Sequence, residues 1–127
     1  MWGTLVVGSA QEGLLLRSEG RDSLVVRLTQ GGLTAETSVY AYSWVGFDGL
    51  ASYFEGMLRD WRGWEGERAW SSLEGELGLL AQHDGHVRLR VALRDSVHST
   101  WTVSAELTID AGEQLADASR GLTDLFS

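Results

Sequence analysis

Apolar and polar residues alternate along the first 45 residues in short runs, the period of strands with one buried face. Thr4 to Val7, Leu14 to Ser18 and Ser23 to Thr29 form three such runs, separated by turn formers at Gly8 to Gly13 and at Glu19 to Asp22. Leu24, Val26 and Leu28 share one face of the third run. Gly31-Gly32 then marks a hairpin turn into Leu33 to Tyr42, where Ala35, Thr37, Val39 and Ala41 alternate with Glu36, Ser38, Tyr40 and Tyr42. The pattern predicts a four-stranded antiparallel meander.

The period changes at Phe47-Asp48. Leu50, Phe54, Met57, Leu58 and Trp61 fall at helical spacing, with Ser52, Glu55, Arg59 and Arg62 largely off that stripe. Asp48 is placed to cap this helix, Glu55 and Arg59 are spaced for an i,i+4 pair, and Gly63 stops it, so that Trp64 can fold back over the helix end. From Arg68 the two-residue period returns. Ser71, Leu73, Gly75, Leu77 and Leu79 fall on one side, with Trp70, Ser72, Glu74 and Glu76 on the other. Beyond an Asp84-Gly85 turn, Val87, Leu89, Val91 and Leu93 alternate with His86, Arg88, Arg90, Ala92 and Arg94. Trp101, Val103, Ala105, Leu107 and Ile109 repeat the rule. Glu74 and Glu76, Arg88 and Arg90, and Glu106 would then form an acid, base, acid ladder across adjacent strands. Asp110 caps a closing helix whose apolar face is Leu115, Ala118, Leu122, Leu125 and Phe126. The expected fold is α+β: a strongly curved antiparallel sheet of six to seven strands, with two amphipathic helices packed on one face. Its order is four-strand meander, helix, three-strand meander and C-terminal helix.

Composition narrows the class. At 127 residues with 43% apolar side chains, the chain fits one domain over residues 1–127. The absence of Cys excludes disulfides, thiolate metal sites and a cysteine nucleophile. The opening MWGTLVVGSAQEG lacks the charge and apolar length of a secretory signal, and no run approaches the roughly 20 apolar residues of a membrane span, so a soluble cytoplasmic protein is expected. All ten basic residues are Arg, with Lys, Asn and Pro absent and one Ile, a codon usage that points to a high-GC bacterial genome. The net charge is −8 and uneven: residues 48–67 hold five acids against two arginines, and residues 106–127 five against one. Such a surface repels nucleic-acid backbones and anionic membranes and favours a basic protein partner.

Catalytic chemistry finds little support. His83 and His86 flank a turn without a third ligand at metal-site spacing, so no metal is expected. No nucleophile elbow surrounds a serine, and Glu74 and Glu76 would be neutralised by Arg88 and Arg90 beside them. The glycines near the amino terminus precede no helix, and no cofactor is implied. Tryptophan is the remaining signal, with six in the chain: Trp2, Trp44, Trp61, Trp64, Trp70 and Trp101. Trp61 and Trp101 fit the core. Trp64 in a connecting loop and Trp70 on the polar face, with Glu65, Glu67, Glu74 and Glu76, make a candidate contact patch with an acidic rim. Equally, Trp70 could stack on Arg88 or Arg90.

The helix FDGLASYFEGMLRDW, the strand AWSSLEGELGLL, the hairpin DGHVRLRVAL, the strand from Trp101 to Ile109 and the closing AGEQLADASRGLTDLF together resemble an uncharacterised family of small bacterial proteins, itself similar to immunity proteins of WapI-type contact-dependent toxins. The likeness covers residues 46 to 126. It implies a monomeric or weakly dimeric α+β domain that binds and neutralises a basic toxin without catalysis. A self-associating assembly module and a small-ligand binder are the alternatives.

Overall fold

The computed structural model describes residues 3–20, 22–42 and 46–126. Strands β1 (Thr4–Gly8), β2 (Gly13–Ser18), β3 (Ser23–Gln30) and β4 (Leu33–Tyr40) form the expected meander, each paired antiparallel with the next. Its inner face is set by alternation: Val7 lies opposite Leu14, Leu14 opposite Leu28, and Leu24 opposite Val39, all buried. Helix α1 (Asp48–Arg59) follows. Strands β5 (Arg68–Ser71), β6 (Leu77–His83), β7 (Val87–Arg94) and β8 (Thr102–Ile109) then make a second antiparallel sheet in sequence order, and α2 (Glu113–Leu125) closes the chain.

The fold is thus α+β with two four-stranded sheets, which corrects the expected single curved sheet of six to seven strands. The extra strand arises at residues 72–76. The alternation read as one strand runs through Ser72 to Glu76, but these residues form a turn, with Ser72 accepting the Gly75 amide and Gly75 at φ 78. Arg68–Ser71 is thereby folded back on β6 as an extra strand, with Trp70 opposite Leu79. Leu73 kept the phase of the buried residues only by coincidence and is 50% exposed.

The same turn dissolves half of the expected charge ladder. Glu74 and Glu76 leave the sheet, and β6 sets Leu80 and Gln82 opposite Arg90 and Arg88. The other half holds: Arg90 faces Glu106 in register, and Arg88 reaches Glu106 at 3.4 Å while also bonding Asp84. Arg88 first of all holds the Asp84 carboxyl below its ordinary range.

One hydrophobic core spans both sheets and both helices. The sheets meet where β1 nears β8 and β4 nears β7. Gln30 Nε2 donates to the Glu106 carbonyl at 2.6 Å, and Thr37 Oγ1 donates to the Arg94 carbonyl at 2.8 Å. The helices do not share one sheet face as expected. Each lies against the first strand of the sheet it does not follow, α1 on β5 and α2 on β1, and the two pack on each other. Phe47 stacks on Phe126 at 5.2 Å, and where α2 crosses β1 a Cβ on Gly121 would come within 2.3 Å of Leu5 Cδ1, so any larger residue there would force the Leu5 side chain to move.

Several local expectations change. Asp48 is the first helical residue, and the capping position falls to Phe47, which makes no side-chain cap; at α2 it falls likewise to Gly112 instead of the expected Asp110, whose carboxylate accepts the Gly112 and Glu113 amides from two residues before that position. Trp61 lies just past the helix end at Asp60 and is 47% exposed, outside the core. Glu55 turns toward Thr123 Oγ1, which donates to it at 3.5 Å, rather than toward Arg59. Among the described residues no helix is long and apolar enough to cross a membrane.

Candidate functional site

The six residues of the sequence-predicted patch are not brought together as one surface. Trp64 is half-buried: its ring meets the His83 ring edge-on at 5.1 Å and carries the Arg68 guanidinium over its face at 4.6 Å. Its Nε1 is buried without a hydrogen-bond partner among the described residues. Arg68 is fixed there by Asp60 at 2.7 Å and by the Gly56 carbonyl at 3.1 Å. Tyr53 donates to the Arg68 carbonyl at 2.8 Å, and burial pushes its hydroxyl above the ordinary tyrosine range. This assembly staples the end of α1 to β5. Glu65 and Glu67 are exposed beside it, and Glu67 accepts from Gln82 at 3.4 Å.

Trp70 is not on the polar face. Its partner Leu79 lies opposite Val91, so the side chain stands on the inner, apolar side of the second sheet, away from Arg88 and Arg90 on the outer side. Glu74 is exposed on the 72–76 turn. Glu76 is the surprise: a carboxylate only 2% exposed. Its Oε1 accepts from Ser72 Oγ at 2.8 Å and its Oε2 from the Tyr40 amide at 3.3 Å, so it ties the second sheet to the end of β4.

His83, the last residue of β6, is held by backbone groups. His83 Nδ1 accepts the Gly85 amide at 3.2 Å, which leaves Nε2–H to donate to the Trp61 carbonyl at 2.7 Å. Both ring nitrogens are therefore engaged. Among the described residues no group of three or more His, Asp or Glu is placed to hold a metal ion.

Two concave surfaces stand out instead. The first is a cleft of about 160 Å³ between the end of β4, the start of α1 and β5, walled by Tyr40, Tyr42, Phe47, Trp70 and Leu73. Tyr40 and Tyr42 are 48% and 51% exposed at its rim. Gly49 lets Trp70 close on the first turn of α1, since a Cβ there would lie 3.2 Å from Trp70 Nε1. Tyr40 and Tyr42 were legible as outward residues of their strand, but nothing local joined them to Trp70, 28 positions on from Tyr42. The second surface is an open groove of about 460 Å³ between the helices, floored by Ala51, Leu122 and Phe126 and edged by Asp48 and Glu55.

Charge divides along the same lines. Residues 68–105, which supply β5 to β7 and the start of β8, carry four acids against four arginines and are neutral. The acid-rich stretches 48–67 and 106–127 contain both helices, although Glu106 of the second stretch lies on β8 against Arg88 and Arg90.

No curated protein and no solved structure matches the chain, and no comparison links it to WapI-type immunity proteins. A family model matches residues 11–127, which takes in most of the N-terminal meander as well as the segments that follow. The chain belongs to that family, DUF6228, a family of unknown function.

Proposed function

We propose that this domain is a non-catalytic protein-binding module that captures a basic protein partner. The observation that supports it is the charge arrangement: ten acids against three arginines in the two stretches that contain the helices, beside a neutral 68–105 segment. The groove between α1 and α2 has the make-up of a protein contact, an apolar floor from Ala51, Leu122 and Phe126 with Asp48 and Glu55 at its edge. Such uneven charge raises association rates with a basic partner and excludes acidic ones. The small-ligand alternative has less support, since the 160 Å³ cleft falls short of the roughly 300–1,000 Å³ of small-molecule sites, and the larger groove between the helices is an open surface rather than an enclosing pocket.

The finer reading is an immunity-type role, neutralising a basic toxin by occupying its surface. It rests on the resemblance over residues 46 to 126 and on the acidity of the stretches that contain the helices. Co-expression with the product of the neighbouring reading frame tests both levels. A complex that weakens steeply with salt and is lost in Asp48→Arg/Glu55→Arg supports the binding module. Protection of cells from that product supports the immunity role. Absence of any complex from the wild-type protein sinks the proposal.

A further inference from the structure

We infer that the aromatic cleft between β4, α1 and β5 receives an arginine side chain of the protein partner. The inference rests on the protein-binding reading above and names the chemistry of one contact within it.

Three features converge on a guanidinium. The lining includes the aromatic residues Tyr40, Tyr42 and Trp70, and a planar, weakly hydrated guanidinium stacks on aromatic rings better than an ammonium does. The volume, about 160 Å³, suits a single side chain. An apolar cavity of about 150 Å³ takes up one benzene-sized molecule. The third feature is charge. Both hydrogen-bond partners of the buried Glu76 carboxylate, Tyr40 and Ser72, line this cleft, so the carboxylate stands directly behind its wall.

Glu76 has no ion pair within 4.0 Å among the described residues. The nearby Arg94 guanidinium is aimed elsewhere, at the Glu74 carbonyl and at Ser99 Oγ, 2.6 Å away. A buried carboxylate with two neutral donors is under-compensated, and a cation entering the adjacent aromatic cleft supplies the missing charge. The sequence places these pieces far apart, at 40–49 and 70–76, and the meeting of the two sheets brings them together.

The test uses the full chain, isotopically labelled, titrated with the peptide acetyl-Gly-Arg-Gly-amide and with the same peptide carrying citrulline, which keeps the shape and loses the charge. The expected result is a saturable shift of the Trp70 indole resonance, identified with Trp70→Phe, by the arginine peptide, and a much weaker one by citrulline. Glu76→Gln keeps the size and an acceptor for Ser72, and should weaken the arginine peptide about tenfold while the melting temperature confirms folding. Tyr40→Ala, at an exposed position, gives a second variant with the same expected loss. Equal response to arginine and citrulline, wild-type binding by both variants, or a shift with choline but not with arginine would each overturn the inference. If the partner complex survives Glu76→Gln and Tyr40→Ala at wild-type affinity, the cleft reading alone falls. Failure of the wild-type chain to form any complex removes the function on which it rests.

Discussion

Each half of the chain runs as a four-stranded meander followed by a helix, but the two helices begin in opposite ways. At α2 the cap residue is Gly112, but the Asp110 carboxylate two residues before it accepts the amides of Gly112 and Glu113 at 3.1 and 3.0 Å, and Gln114 Oε1 accepts the Asp110 amide at 2.8 Å. At α1 no side chain caps the helix, and its first turn borders the aromatic cleft instead. The end tied up by its own residues is a structural joint, whereas the one left without a cap adjoins the concave surface built from both sheets. The halves are also interlocked, because each helix packs on the first strand of the other half.

Breaking the interlock should produce the largest effect. Leu28→Ala in the first sheet and Leu89→Ala in the second each empty a fully buried site, and each should cost about 2–5 kcal/mol. Because the core is shared, tryptophan fluorescence and far-ultraviolet circular dichroism should trace one coincident urea transition for both variants. Two separated transitions would show that the halves fold independently.

Glu76→Ala comes next. It strands the Tyr40 amide and Ser72 Oγ in a buried joint, with an expected loss of about 1–3 kcal/mol by urea denaturation. A loss smaller than that of Ser72→Ala would show that the carboxylate does not hold the joint.

The helix starts separate at the next level. Asp110→Ala should lower the melting temperature by less than Glu76→Ala, and Asp48→Ala by less again, because only Asp110 bonds the amides that precede and open its helix. The Asp110 carboxyl is held below the ordinary aspartate range, foremost by the Gly112 amide. A lowered folded-state value stabilises above the unfolded value of about 3.9 and loses that contribution as pH falls through the folded one. Melting curves of wild type and Asp110→Ala should therefore differ at neutral pH and converge well below pH of about 4. A difference that persists in acid would contradict the capping role. Smallest of all, Val97→Ser, in the loop between β7 and β8, should stay within about 0.5 kcal/mol, since that side chain is among the most exposed apolar groups of the second half.

Much of the fold was legible because its signals are local. Leu24, Val26 and Leu28 buried one face as their spacing demanded, Gly31-Gly32 made the hairpin, and Val87 to Leu93 and Leu107 with Ile109 turned inward. The region from Arg68 to Leu79 misled for an equally physical reason. The turn at 72–76 switches the odd-even phase, so that even-numbered Trp70 shares the inner face with odd-numbered Leu79, while Leu73 and Gly75 continued the phase of β6 through residues where the backbone had already left the strand. That phase error carried Trp70 and Glu76 to the wrong faces, and with them the expected contact patch.

The amino-acid sequence by itself determined the kinds of element, their order, the faces of most strands and the acidity of the helical stretches, because alternation, helical spacing and charge are properties of neighbours along the chain. The tertiary structure alone decided that eight strands divide into two sheets, that the helices exchange sheets, and that Glu76 is buried behind a cleft of aromatic rings. Those outcomes depend on which distant surfaces meet, as Tyr40 meets Glu76 across 36 positions, and no local period encodes such a meeting.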